Sequence, residues 1–320
     1  MRRQPTFESS LASRMEQFVV HKRMQGYEYT VSAISLKYFD RFLCKVDCSD
    51  GWLRDDYFTA YYETIRPLST NTHRCRLGVV HQFSLFLNAY CPESRVMSLR
   101  FLPRLPPKIR FYRISAKEVF GLMQATENLP SKSTRRRACI RFLIGLIYTT
   151  GLRISEAISL NLGDIDFERN TLFIHHGKFG KDRLIKISPS TRNALDEWLN
   201  IRQEYAESGK TAPLFMSTPN KRLTPSQARY AFRQLCNLCD LKNEPPPRLH
   251  DLRHNYATAC LARWQREGKD IQILLPVLSA SMGHVKPEST EYYIHINAET
   301  LRQASRKTEI YFNQTIRGIQ

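Results

Sequence analysis

The chain has 320 residues, 42% of them hydrophobic and 24% charged, which is typical of a globular protein with room for two domains. Its 48 Lys and Arg residues outnumber the 30 Asp and Glu residues, and the resulting net charge of +18 favours a phosphate-rich partner such as nucleic acid. The sequence has no run of the ~20 apolar residues that span a membrane, no signal-peptide pattern and no disulfide framework among its eight scattered cysteines, so we expect a cytoplasmic protein without a membrane partner.

The first hundred residues show helical patterns. Apolar residues recur at helical spacing over residues 11–25 and 32–44. Residues 76–90 put one apolar stripe on a further helix, which we interpret as core: Leu77, Val80, Phe83, Leu87 and Tyr90. Residues 69–76, just before it, offer small polar and basic side chains suited to phosphate contact. This half is therefore predicted to be a small helical bundle, residues 1–103.

A proline-rich segment separates the two halves of the chain. Residues 101–112 read FLPRLPPKIRFY, and three prolines exclude a regular helix there. We expect a linker over residues 104–113. Its basic side chains fit either a segment that lies along a phosphate backbone or an ordinary basic loop.

The second half, residues 114–320, is predicted to be mainly helical with a small antiparallel sheet. Ser115 and Glu118 form a capping-box pattern at the start of a helix that runs to about Ala125. Two short strands, 171–175 and 184–187, flank a glycine-containing turn and predict a hairpin. The other predicted helices cover residues 137–148, 191–205, 225–239, 250–262, 271–281 and 299–312.

Two segments of this half place cations where the chain turns. Residues 150–156 read TGLRISE, in which Gly151 ends one helix and Arg153 stands at the start of the next, where a helix N-terminus favours anions. Residues 177–183 read GKFGKDR, and their glycines allow a tight turn that carries Lys178 at the hairpin tip. Taken alone, the first segment is typical of a surface charge and the second of a solvated basic turn.

A third segment, residues 250–256, reads HDLRHNY. His250 and Arg253 share one helix face, from which an imidazole and a forked guanidinium together suit a phosphate. Alone, the pair is typical of a solvated helix face. His254 is turned about 100° away from Arg253 in a regular helix, and we interpret it as structural.

A fourth segment, residues 282–295, reads MGHVKPESTEYYIH and carries His284 nine residues before Tyr293. In this order, the four segments resemble the boxes of the tyrosine recombinase (phage integrase) family. That family shows TGxRxxE, a GKxxKxR hairpin, HxLRH, and LGH followed nine residues on by the Tyr of YxH. The match covers roughly residues 114–310. Tyr293 keeps both the nine-residue offset and the Tyr-x-His pattern to His295, whereas Tyr292, the alternative nucleophile, keeps neither.

The resemblance implies a site-specific recombinase in which Tyr293 attacks the scissile phosphate and becomes linked to a 3′-phosphate. Arg153 and Arg253 would hold the non-bridging oxygens in the transition state. No metal is implied, because the set supplies fixed cations for the charged transition state. No ATP is implied, because the covalent link conserves the bond energy, and no phosphate-binding P-loop occurs in the sequence.

The resemblance also gives roles to the remaining residues of the set. Lys178 would protonate the departing 5′-oxygen, and His250 would accept the tyrosyl proton. His284 would hydrogen-bond the phosphate, while Glu156 would brace the site without reacting. The front half resembles the family's DNA-binding core-binding domain only in size, helix content and charge.

The resemblance further implies double-stranded DNA with specific recombination sites as the partner, and a homotetramer on that DNA or a mixed assembly with a second recombinase. The host is expected to be bacterial, with the protein at the nucleoid. No cofactor is expected. We expect no additional N-terminal arm-binding domain, which would favour a simple or transposon-borne enzyme.

Other functions remain open at this point. A catalytically silent DNA-binding relative, a type IB topoisomerase or a telomere resolvase would share most of these features. A Cys₂His₂ zinc site could use Cys236, Cys239, His250 and His254, but the cysteines fall on a predicted core stripe. A metal-dependent nuclease or transposase would need a carboxylate cluster, and Asp166 is typical of turn and capping chemistry instead.

Overall fold

The computed structural model describes residues 5–46, 48–104, 111–131, 133–175, 182–204, 209–219 and 221–283. The chain divides into two units, Met1–Ile109 and Arg110–Gln320. Each unit has hydrophobic clusters of its own, because every cluster draws its buried residues from one unit alone.

Helices dominate the first unit. Their bounds are α1 (Ala12–Met24), α2 (Thr30–Lys45), α3 (Asp55–Ile65) and α4 (Thr70–Tyr90), followed by a 3₁₀ turn at Leu99–Phe101. Each helix contributes at least one aromatic ring that is at most 2% exposed, namely Phe18, Phe39, Tyr61 and Phe83. Burying each such side chain stabilises the fold by roughly 1.5–3 kcal/mol.

Three details of this unit differ from the sequence prediction. Helix α4 begins at Thr70, because the Ser69 hydroxyl accepts a hydrogen bond from the Thr72 amide (3.4 Å), so the polar segment before residue 76 is already helical. Tyr90 was wrongly assigned to the core: it is 59% exposed at the end of α4. Helix α3 was not predicted, since its apolar positions are mostly aromatic residues that also favour strands.

The second unit combines helices with two small sheets. Its helices are α5 (Ala116–Gln124), α6 (Thr134–Thr150), α7 (Ile154–Ser159), α8 (Pro189–Gln203), α9 (Pro225–Leu238), α10 (Leu249–Arg266) and α11 (Ile271–Met282). Its strands are β1 (Ile165–Asp166), β2 (Thr171–Ile174), β3 (Arg183–Lys186), β4 (Met216–Thr218) and β5 (Lys221–Arg222). The predicted helix at residues 299–312 lies outside the described residues.

The predicted hairpin is confirmed as β2 and β3, which pair antiparallel from Thr171 opposite Lys186 to Ile174 opposite Arg183. Strand β1 adds to the free edge of β2, where the Asp166 carboxylate accepts hydrogen bonds from two amides of the following turn, as its capping pattern predicted. The turn of the hairpin, residues 176–181, lies outside the described residues. The short β4–β5 hairpin was not predicted.

Helix α6 lies at the centre of the second unit and packs against α5, α8 and α10. Its apolar stretch is buried, and it ends at Gly151, whose φ of +66° is a conformation that a residue with a Cβ rarely adopts. The predicted capping box is present at the start of α5, where Ser115 and Glu118 bond each other's backbone amides. These features fix the ends of the helices that border the site.

The prediction of a mainly helical protein with a small antiparallel sheet in its second half is confirmed. No helix within the described ranges is both long enough and apolar enough to cross a membrane.

Candidate active site

Arg153 occupies the junction between α6 and α7, as the sequence predicted. Gly151 turns the chain out of α6, and Arg153 is the residue that precedes the first turn of α7. The Glu156 carboxylate reaches back to accept hydrogen bonds from the Arg153 backbone amide (2.9 Å) and from its guanidinium (2.7 Å). Because both contacts involve one carboxylate, the Arg153 side chain is fixed at the start of the helix.

Glu156 is the counter-charge for more than one arginine. Its side chain is 6% exposed, and Arg183 at the start of β3 donates two hydrogen bonds to its two oxygens (3.1 and 2.9 Å). Arg253 from α10 comes within 4.0 Å of the same carboxylate. Burial alone would raise the pKa of Glu156, but the hydrogen bonds from Arg183 and Arg153 outweigh that effect and hold its pKa below the ordinary value. The carboxylate is therefore charged at neutral pH.

The same three arginines hold the end of α11. Arg183 donates to the carbonyl of Ser281 (2.8 Å), Arg253 to that of Met282 (2.6 Å) and Arg153 to that of Gly283 (2.8 Å). These carbonyls are among the last of the helix, which have no partner within it and carry the negative end of the helix dipole. Three consecutive carbonyls are thus each held by an arginine from a different element.

Helix α10 carries two of the predicted site residues, His250 and Arg253. The Asp251 carboxylate accepts a hydrogen bond from the Arg248 amide (2.8 Å) and so caps the start of the helix. Two positions further on, the Arg253 side chain is 2% exposed and donates to the Gly151 carbonyl (2.6 Å) as well as to α11. Arg253 therefore joins the ends of α6 and α11.

His250 lies one turn before Arg253 on α10. Burial, together with the neighbouring Arg253, lowers the pKa of His250 below its ordinary value. Burial also lowers the pKa of His254 to about 4, with the adjacent His250 as a further cause. The His254 ring stacks on Phe111, with ring centroids 4.8 Å apart, in agreement with its interpretation as a structural residue. Both imidazoles are therefore neutral at pH 7, and a neutral His250 can accept a proton.

The arrangement concentrates positive charge. Three guanidinium groups surround a single carboxylate, which leaves two positive charges in excess beside the neutral His250. Guanidinium groups fixed in this way stabilise an anion whose charge increases in a transition state, because they need no reorganisation when the charge develops. The chemistry that fits the site is reaction at a phosphate.

The structure brings Arg153, Glu156 and Arg253 together, with His250 on the same helix as Arg253. The predicted residues Lys178, His284 and Tyr293, and the alternative Tyr292, lie outside the described residues. Sequence reasoning gave Arg183 no role. The available signal was the position of Arg183 at the end of the basic hairpin segment. Its partner Glu156 lies 27 residues earlier in the chain, so no local pattern joins the two.

The four candidate zinc ligands, all of them described residues, do not come together as a metal-binding group. Cys236 is buried in the apolar core of the second unit, and Cys239 packs against that core. Within the described ranges, which include both cysteines together with His250 and His254, no group of three or more His, Cys, Asp or Glu side chains could hold a metal ion. The cysteines therefore belong to the core stripe of α9.

The sequence matches known proteins over most of its length. The model of the phage integrase family matches residues 112–300. The chain is 34% identical over 241 residues to y4rB of Sinorhizobium fredii, named an integrase/recombinase, covering 73% of this chain and 77% of that one. It is 30% identical to the tyrosine recombinase XerC of Chlamydia trachomatis over 242 residues, or 75% of this chain and 71% of that one.

Solved structures of other proteins share the fold. One is the XerH site-specific recombinase bound to a palindromic difH substrate in a post-cleavage complex, with a TM-score of 0.63 and 20% identity over 88% of this chain and 79% of that one. Another is the Tn1549 transposon integrase in complex with transposon right-end DNA, with a TM-score of 0.61 and 15% identity over 91% of this chain and 98% of that one.

Proposed function

Since the chain belongs to the phage integrase family of tyrosine-type DNA breaking and rejoining enzymes, we propose that it is a site-specific recombinase that cleaves and rejoins DNA through a covalent link to Tyr293. One observation carries the proposal. Three arginines converge on the buried Glu156 and on the last carbonyls of α11, the helix after which the chain continues to His284 and Tyr293.

The two predicted arginines neutralise the phosphate. Attack of a tyrosine oxygen on a phosphodiester passes through a pentacovalent state with more negative charge on the non-bridging oxygens. Arg153 and Arg253 hold those oxygens, because planar forked donors suit phosphate geometry and are already fixed by Glu156 and by backbone carbonyls. Glu156 braces the arginines without reacting.

Proton transfer completes the chemistry. A tyrosine with a pKa near 10 is a weak nucleophile until a base removes its proton, and the lowered pKa of His250 suits it to this task. Lys178 protonates the 5′-oxygen as its bond to phosphorus breaks, and His284 donates a hydrogen bond to the phosphate. The phosphotyrosyl link then keeps the bond energy for rejoining, so the reaction requires no ATP. The fixed cations neutralise the phosphate charge, so it requires no metal.

The substrate is double-stranded DNA with specific recombination sites. The net charge of +18 supports this partner, as do the DNA complexes of the recombinases that share the fold. We assign residues 1–103 to a DNA-binding core-binding domain, 104–113 to a linker and 114–320 to the catalytic domain. The active assembly is a homotetramer on DNA, or a mixed one with a second recombinase, in the bacterial cytoplasm.

The test is covalent trapping. Wild type and Tyr293→Phe are incubated, without metal and with EDTA, with a nicked duplex that carries candidate sites from the DNA flanking the gene. The nick lets the short 5′-product leave, so the enzyme cannot rejoin the strand. The enzyme therefore stays covalently attached to the DNA and is seen on a denaturing gel. We expect a covalent band from wild type and none from Tyr293→Phe.

Tyr292→Phe is the matched control, because it removes the neighbouring phenol and is expected to keep the band. A band that survives in Tyr293→Phe and vanishes in Tyr292→Phe would move the nucleophile by one residue. Tight binding without any band, on single sites and on paired sites, would support the catalytically silent DNA-binding relative. Relaxation of supercoiled DNA without exchange between sites would support a type IB topoisomerase activity.

A further inference from the structure

Arg183 contributes positive charge to the site but is assigned no contact with the phosphate and no proton transfer, yet it is among the most heavily bonded side chains near the site. It is the first residue of β3, and its side chain is 11% exposed. Two of its nitrogens bond the two oxygens of Glu156, and a third, Nε, bonds the carbonyl of Ser281 in the last turn of α11 (2.8 Å). One guanidinium therefore joins a strand, the shared carboxylate and the end of a helix.

The end of α11 also fits closely against this side chain. Gly283 has a φ of +64°, and a Cβ there would lie 2.9 Å from an Arg183 nitrogen and 3.2 Å from an Arg153 nitrogen. The backbone thus passes directly against two of the arginines, at the point where the described part of the chain ends.

We propose that Arg183 is a positioning residue that sets the place and direction in which the chain leaves α11 toward the nucleophile. The expected effect of Arg183 on DNA cleavage rests on the proposed function. Its expected effect on the end of α11 rests on the described contacts alone. Arg153 and Arg253 hold the two neighbouring carbonyls but are also assigned to the phosphate, so Arg183 is the member of the set whose assigned task is structural.

The chemistry of the side chain explains why an arginine is needed. A guanidinium can donate two parallel bonds to a carboxylate and still direct Nε at a carbonyl on another side. A lysine carries the same charge on a single nitrogen and cannot reproduce the fork. Loss of the fork would let the last turn of α11 shift, and a displacement of about 1 Å of reacting groups lowers a rate about 100-fold.

The experiment compares full-length wild type with Arg183→Met, Arg183→Lys and Arg192→Met. Arg192 is the matched control: it too pairs with a carboxylate, that of Asp196, and donates to a backbone carbonyl, but on α8. Single-turnover cleavage of the nicked duplex gives the rate constant and the fraction that reacts, and gel shift gives the DNA affinity. Hydrogen exchange of the peptide that covers residues 278–283 reports on α11 without DNA.

We expect Arg183→Met to lower the cleavage rate constant about 100-fold, with DNA affinity and the reactive fraction unchanged, and to speed exchange at residues 278–283. Arg183→Lys should be at least tenfold slower than wild type, and Arg192→Met should match wild type in cleavage rate constant, DNA affinity and hydrogen exchange. A loss confined to the reactive fraction, in step with a lower melting temperature, would overturn the proposal, because that is the effect of unfolding alone.

A second substrate shows whether a variant impairs attack by the nucleophile or departure of the leaving group. With sulfur in place of the bridging 5′-oxygen, the P–S bond breaks and the thiolate departs with its electron pair, without needing the proton from Lys178. This substrate should rescue Lys178→Ala but not Arg183→Met. Rescue of Arg183→Met would overturn the proposal, since the residue would then act through the leaving-group side.

The two hypotheses fail in different ways. Unchanged hydrogen exchange in Arg183→Met overturns the positioning role whatever the DNA assays show. Faster exchange in that variant, combined with a wild type that forms no covalent complex on single or paired sites, supports the positioning of α11 and contradicts the proposed function.

Discussion

At the scale of single residues, the carboxylate of Glu156 determines the electrostatics of the site. It pairs directly with Arg153 and Arg183 and lies 4.0 Å from Arg253, while its own side chain is 6% exposed. Removing one charge from a buried, hydrogen-bonded group leaves its partners uncompensated, which is more costly than the loss of a surface ion pair.

The variant Glu156→Gln tests how much the stability of the protein depends on this charge. The amide keeps the shape but removes the charge and offers a donor to guanidinium groups that are themselves donors. We expect the free energy of unfolding to fall by roughly 3 kcal/mol. Urea unfolding of wild type and variant at pH 7 measures it. Arg192→Met serves as control for a partly exposed pair and should cost about 1 kcal/mol or less. A Glu156→Gln variant as stable as wild type would contradict the assignment.

The lowered pKa of Glu156 gives the sign of the pH dependence of stability. Below its ordinary pKa of 4.5, the unfolded chain takes up a proton that the folded chain does not. The stabilisation from the carboxylate is therefore complete above pH 4.5 and is lost as the pH falls through the lower folded pKa. The stability difference between wild type and Glu156→Gln should shrink across this range in unfolding measured at stepped pH values.

If His250 is the base of the proposed reaction, it sets a pH limit for that reaction. Its pKa lies below the ordinary 6.5 because burial and Arg253 disfavour the charged ring. As the pH falls through this lowered pKa, the ring becomes protonated. A protonated ring cannot accept the tyrosyl proton that the proposed mechanism assigns to it, so the cleavage rate should decrease only below pH 6.5. His250→Gln should be about 10²–10⁴-fold slower and should lack this acidic limb. Single-turnover rates from pH 5 to 8 measure both, and an acidic limb that persists in His250→Gln would exclude His250 as the base.

The residues of the site could be predicted from sequence where a short segment carries them. Local spacing put His250 and Arg253 on one helix face, whereas Arg153 and Glu156 were assigned through the resemblance of the four segments to the family's boxes. The contact of Arg183 with Glu156 could not be predicted in this way. It depends on how β3 packs against α7 and α11, which is a tertiary contact without a local pattern.

At the scale of elements, the junction of α6 and α10 combines a helix end with a close contact. A Cβ at Gly151 would lie 2.3 Å from the ring of Tyr256 on α10, and the φ of +66° is itself unfavourable for a side chain. The Gly151 carbonyl also receives a hydrogen bond from Arg253. Any shift of this turn therefore moves both α10 and the start of α7.

Gly151→Ala should lower the stability of the protein, because of the positive φ and because of the close approach of Tyr256. The left-handed conformation alone costs roughly 1–2 kcal/mol, and displacement of Tyr256 adds to it. Gly121→Ala is the matched control, because Gly121 lies inside α5, where an added Cβ would have nothing within 4 Å, and it should gain about 0.5–1 kcal/mol from helix propensity. Thermal unfolding of the two variants should thus shift in opposite directions, and a shift in the same direction would contradict the packing at Gly151.

Elements with a strong local sequence pattern were predictable, and elements without one were not. Helix α6 and the β2–β3 hairpin have strong local signals in an apolar stretch, a terminal glycine and flanking turn residues. Strand β1 and the β4–β5 hairpin have two or three residues per strand, too few to establish a period of two. Their conformation comes from the neighbouring elements.

At the scale of the whole molecule, the burial pattern gives each unit hydrophobic clusters of its own. In the first unit, the buried cluster runs from Phe7 to Met97, and α1 to α4 all contribute to it. In the second unit, the clusters begin at Phe111 and extend to Met282. A chain segment that supplies its own core within about 100 residues is of a size that folds independently.

A fragment that consists of residues 1–109 should therefore fold by itself. We expect a helical circular dichroism spectrum and a single cooperative thermal transition, because the side chains that bury its apolar surface all lie within the fragment. Phe83→Ala, which empties a fully buried position where α4 meets α1, should cost the fragment roughly 3–5 kcal/mol, whereas Gly78→Ala on the same helix has nothing within 4 Å of its new Cβ and should not lower stability. A fragment that melts without cooperativity, or that responds equally to the two substitutions, would mean that its core requires the second unit, and the boundary proposed near residue 104 would then be wrong.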